Sequence, residues 1–210
     1  MVELTDRDLV RHHWPIGLRP AFDALFAIDD ALRDVVASSS EPALGAIRLA
    51  WWREALERLD SNPPPPEPRL QAVAAELLPR GVTGAMLGGL EDGWATLFEE
   101  APDIERIAGR GERLFAVGSR LLGGSDELAT AAGRLYAYQS VYRAELLTGP
   151  WPVEEVQQLS RHRFPRALRP LTGLARLAAR DARQSPRREP EATPGRAAAL
   201  LSHRLLGLVV

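Results

Sequence analysis

Cysteine is absent from this 210-residue chain, and so is lysine: all 26 cationic side chains are arginine. Without cysteine there is no disulfide, no thiolate zinc site and no cysteine nucleophile. Without lysine there is no Schiff-base chemistry and no phosphate-loop lysine; an arginine-only basic set also suits a GC-rich genome. The histidines, His12, His13, His162 and His203, lack the i, i+4 spacing or nearby acidic partners of a metal site and suit surface or cap positions. No serine stands in a GxSxG context, and the pairs Gly88-Gly89 and Gly123-Gly124 precede no strand–helix phosphate loop. Long apolar runs are missing too. The terminal LLGLVV is far too short to span a bilayer, and MVELTDRDLVRHHWP lacks the apolar stretch of a secretory signal. A net charge of −2 supplies no global field to recruit nucleic acid. The expectation is a cytoplasmic protein.

What is present is helical periodicity. With 45% hydrophobic residues, the length suits one globular domain spanning 1–210. From Leu18 to Val36, Phe22, Leu25, Phe26, Leu32 and Val36 recur at three- to four-residue steps. Ser38 to Ser40 interrupt the pattern, and Glu41-Pro42 open a second helix through Ile47, Leu49, Trp52, Leu56 and Leu59. A Pro-rich loop over 61–68 stops it as a stiff, extended connection inside the domain. Further helices are expected over about Pro68–Pro79, Thr83–Glu99, Asp103–Leu122, Asp126–Leu147, Phe164–Arg183 and Pro194–Leu208, the last two divided by an Arg-rich loop over 184–194. No segment alternates as a strand does, and no solenoid repeat is visible.

Two carboxylates, Asp30 and Asp34, lie one turn apart on the first long helix, a spacing that serves a divalent cation or a solvated face. The words around them, RPAFDALFAID and EPALGAIRLAWWREAL, resemble the squalene/phytoene synthase family of head-to-head prenyl synthases. The run from Arg48 through Trp51-Trp52-Arg53 resembles a word, IRLQWWRDAL, of divergent bacterial members and of the subgroup similar to a mitochondrial complex I assembly factor. GERLFAVGSRLLG, over 111–123, resembles the family's helix with small residues, with Gly118 and Ser119 as close-packing positions. The resemblance implies an all-α, isoprenoid-synthase-like bundle around a central, largely apolar cavity. It also implies two aspartate-rich helices facing each other to hold magnesium and a prenyl diphosphate.

Those motifs are degenerate here. When LFAI at 25–28 is matched to the family's aromatic triplet, the DDIVD slot falls on residues 33–37, and only Asp34 is acidic there. In the second motif, anchored on Arg143, Ser140 stands where the family has Asn, Ala144 replaces the first Asp and Thr148 the second. Glu145, one residue off, would point about 100° around a continuing helix. The resemblance therefore implies a binding or assembly factor without prenyl transfer, with no catalytic or metal-ligating residues and no cofactor. The alternative is a magnesium-dependent enzyme condensing two prenyl diphosphates in isoprenoid biosynthesis. Asp30, Asp34, Tyr138 and Arg143 are the candidate substrate-binding residues for a prenyl or lipid ligand. The segment Arg161–Arg188 carries nine Arg against one Asp. It suits a protein partner, or an anionic membrane surface with the chain peripheral to the inner membrane, or a solvated face balancing the acidic N-terminal half.

Overall fold

Pro20, Pro42, Pro68 and Pro194 each stand in the first turn of a helix, where a missing N–H leaves no hydrogen bond unmade. In the computed structural model, which describes residues 4–148, 153–184 and 189–210, the helices are α1 (Asp6–Arg11), α2 (Arg19–Ser38), α3 (Pro42–Arg58), α4 (Pro68–Glu76), α5 (Gly84–Gly88), α6 (Glu91–Ala95), α7 (Ile104–Leu122), α8 (Ala129–Arg143), α9 (Val153–Gln158), α10 (Arg169–Gln184) and α11 (Pro194–Leu206). Among the described residues there is no strand, only an isolated bridge between Arg163 and Leu208. The fold is all-α. Among the same residues no helix is long and apolar enough to cross a membrane.

The long helices fall where the periodicity puts them, and the short ones do not. The single helix expected over 83–99 is two, α5 and α6, followed by a 3-10 turn at Thr96–Phe98. α5 lies so close to α3 that a Cβ on Gly84 would sit 1.9 Å from the Leu56 carbonyl oxygen. α8 stops at Arg143 rather than Leu147, and Glu145 adopts a left-handed φ of 58°, so it does not continue that helix. Neither α1 nor α9 shows apolar periodicity. α1 does carry a capping box, in which the Thr5 hydroxyl accepts from the Asp8 amide while the Asp8 carboxylate accepts from Thr5.

α2 is the hub. Its buried residues run from Ala21 to Val36 on nearly every side, as in a helix enclosed by others. Trp14 stacks on Phe22 and Phe26 at 4.7 and 5.5 Å between ring centroids. Full burial of such rings contributes about 1.5–3 kcal/mol each. The hydrophobic core is continuous from Val10 to Val209. Trp52 packs into it, whereas the neighbouring Trp51 is half exposed.

α7 and α8 cross where two glycines meet: a Cβ on Gly133 would lie 2.3 Å from the Gly111 carbonyl oxygen. Gly118, expected as a close-packing position, faces Leu171 of α10, which a Cβ would meet at 2.9 Å. Part of the Arg-rich segment is internal structure. Arg169 donates to the carbonyls of Phe164, Arg204 and Leu205, Arg176 to that of Val209, and Arg180 to Glu189. These arginines close the end of the chain onto α10. Arg187 and Arg188 lie outside the described residues.

Candidate functional site

An interior acid on the most enclosed helix needs a cation, because an uncompensated buried charge is unstable. Asp29, in the middle of α2, is such an acid, and Arg110 of α7 meets it. The guanidinium donates from one terminal nitrogen to both Asp29 oxygens, at 2.7 and 2.8 Å, with both side chains almost fully buried. Its other terminal nitrogen donates to the Ala137 carbonyl at 3.2 Å and the Ser140 hydroxyl at 2.5 Å, both on α8. The Trp94 indole N–H donates to Asp29 at 2.8 Å, and the guanidinium lies 4.0 Å from the Trp94 ring centroid. Arg110 thus ties α2 to α8 across the interior.

Above this pair opens a cleft of about 790 Å³, walled by α1, α2, α8, α10 and the segment that leads into α11. Its lining corrects the expectation of a largely apolar cavity: 12 of its 21 residues are Asp, Glu or Arg. The carboxylates are nearly all engaged. Asp23 accepts from Arg11 at 2.7 Å, and Asp30 from Arg7 at 2.9 Å with Arg33 at 3.1 Å. Asp181 accepts from Arg143 at 2.8 Å and also from Arg196, while Glu191 accepts from Arg143 at 3.2 Å. Arg196 donates to Asp6 at 2.7 Å as well. Burial opposes the charge on Arg196, yet its hydrogen bonds to Asp181 and Asp6 raise its pKa above the usual guanidinium value. Asp8 is spent on the α1 capping box, whose Thr5 amide and hydroxyl hold its carboxyl below the ordinary range. Among the described residues no group of three or more His, Asp or Glu is placed to hold a metal ion.

The candidate residues separate. Asp30 and Arg143 line the cleft; Asp34 and Tyr138 do not. The Asp34 side chain is 58% exposed and meets Arg33 at 3.2 Å, as a solvated-face acid does. Tyr138 lies on the far side of α8, where its hydroxyl accepts from Arg134 at 3.2 Å, and Tyr136 is the tyrosine that faces the cleft. Ser140 and Ala144 line the cleft opposite Asp30, while Thr148 is exposed beyond the end of α8. Two histidines also depart from expectation. His162 has an acidic partner, Asp126, at 2.9 Å, and His203 is buried rather than superficial.

Sequence reasoning missed Asp29 and Arg110. The signal for Arg110 was its place between Ile107 and Leu114 on the buried stripe of α7, where a charge must find an interior partner. Asp29 could have been found by the same test, since Phe22, Leu25, Phe26 and Leu32 surround it on the buried face of α2. Comparison of the chain with protein-family models, with curated proteins and with solved structures gave no match.

Proposed function

We propose that this chain is a squalene/phytoene synthase-like protein that does not catalyse prenyl transfer and acts instead as a binding or assembly factor. The observation that carries this reading is Arg110, a resident guanidinium between α2 and α8. On the scaffold the family words imply, two acidic helices would hold magnesium between them. Here one of those helices offers Ser140 and Ala144, and the acid on the other is already neutralised. A divalent ion would have to take Asp29 from Arg110 and leave that cation buried without its partner, a loss of about 3–5 kcal/mol. The outer carboxylates raise the same difficulty on a smaller scale, since Asp23, Asp30 and Asp181 each hold an arginine.

The volume of the cleft, about 790 Å³, favours as a second reading magnesium-dependent condensation of two prenyl diphosphates, because it has room for a prenyl chain. One assay separates the two. Purified protein is incubated with magnesium and farnesyl or geranylgeranyl diphosphate, and released diphosphate is measured. The expected result is release no faster than in buffer. Release that Asp30→Ala abolishes and Asp34→Ala leaves intact would restore the enzyme.

A further inference from the structure

A second cleft, of about 600 Å³, lies on another part of the surface, between the turn that follows α1 and the ends of α10 and α11. Four arginines line it, Arg19, Arg166, Arg169 and Arg204, and no Asp or Glu does. In the first cleft every lining arginine has a carboxylate within reach. Here, among the described residues, none of the four has one. Arg19 donates to the carbonyls of Trp14 and His12, Arg169 to those of Phe164, Arg204 and Leu205, and Arg204 meets only the His13 ring at 3.1 Å. Arg166 is exposed and makes no hydrogen bond or ion pair among the described residues. Carbonyl dipoles orient a guanidinium without cancelling its charge, so these cations converge uncompensated on one concavity. His13 reports the same field: burial lowers its pKa, and the neighbouring Arg204 lowers it further. Ile16, 80% exposed, and Leu205, 77% exposed, line the same cleft and set apolar side chains beside the cationic floor.

We propose that this cleft is an oxyanion site that takes the phosphate group of an amphiphile, with the attached apolar chain lying over Ile16 and Leu205. Planar guanidinium forks match phosphate oxygens, and the free N–H groups of Arg166 and Arg204 are the ones available to do so. Arg169 is a positioning residue: it holds the last turn of α11 and with it Arg204. The site is independent of the first cleft, which none of these residues line.

The test has three arms on the full chain: phosphatidylcholine vesicles with and without phosphatidylglycerol, a monomeric short-chain phosphatidic acid, and inorganic phosphate. The double variant Arg166→Glu/Arg204→Glu changes two exposed side chains, and Arg166→Gln/Arg204→Gln repeats the test should the reversal fail to fold. The expected result is binding of the short-chain phosphatidic acid, weakened about tenfold or more by the reversal and weakened by salt. Binding of the phosphatidylglycerol vesicles with the same sensitivity identifies a bilayer headgroup as a source. Inorganic phosphate bound as tightly as the lipid refutes the amphiphile. No binding in any arm, or binding indifferent to both variants, overturns the site.

Discussion

Replacing Arg110 tests the central observation most directly. Arg110→Met keeps most of the side-chain volume and removes the charge, so Asp29 is left nearly sealed from water without its cation and, among the described residues, keeps the Trp94 indole N–H as its remaining donor. Breaking a buried pair in this way costs about 3–5 kcal/mol, because the surviving charge has lost its compensation. Both side chains are almost fully enclosed, so solvent screening takes little from that figure. Ser140 and the Ala137 carbonyl also lose a donor, which adds on the order of 1 kcal/mol. The sum is a large share of the roughly 5–15 kcal/mol that holds a domain of this kind together. In a chain of this length it corresponds to a fall in Tm of about 10 °C or more. Asp29→Leu alone leaves Arg110 unpaired and should cost a similar amount. The double variant Asp29→Leu/Arg110→Met leaves neither charge and should recover most of the loss. Urea unfolding of the four proteins, followed by tryptophan fluorescence, closes the cycle and yields the coupling directly. A coupling below about 1 kcal/mol, or a double variant no more stable than either single one, would refute the view that Arg110 compensates the buried Asp29.

Three further outcomes follow from the packing. His203 is buried, with its Nδ1–H donating to the Leu208 carbonyl and its Nε2 facing the Thr172 hydroxyl, and burial lowers its pKa from 6.5 to about 4. The unfolded chain therefore binds a proton that the folded chain refuses between those values. Stability should be full above pH 6.5 and fall by on the order of 3 kcal/mol as pH drops to 4, a slope that His203→Gln removes in urea titrations. Gly133→Ala should cost about 3 kcal/mol, since its Cβ meets the Gly111 carbonyl at 2.3 Å, backbone that cannot yield. Gly123→Ala, where nothing lies within 4 Å but φ is +63°, should cost only about 1 kcal/mol, both read by urea unfolding.

The long helices were legible before any coordinates because periodic apolar residues and their punctuation are local facts. Pro20 and Pro42 in first turns and Asp103 as a cap mark α2, α3 and α7 within a residue or two. The break between α5 and α6 falls just after Gly88-Gly89, a pair that the apolar periodicity over 83–99 runs straight through. The candidate site was half legible. Asp30 and Arg143 reach the cleft, but spacing alone made Asp34 the equal of Asp30, and only the packing of α2 turns one inward and the other to solvent.

By itself the sequence determined that the chain is helical and that it has neither thiol nor lysine chemistry to use. The tertiary structure decided which charges neutralise each other. Twenty-six arginines and 28 acidic residues can be paired on paper in many ways. Charge pairing is a through-space interaction that falls off within a few ångströms, so it is settled by the contacts of α2 with α7, α8 and α10 and not by neighbours in the chain. That is why Arg110 and Arg196 hold interior carboxylates, while Arg166, on the same Arg-rich segment as the internal Arg169, faces outward beside an open cleft.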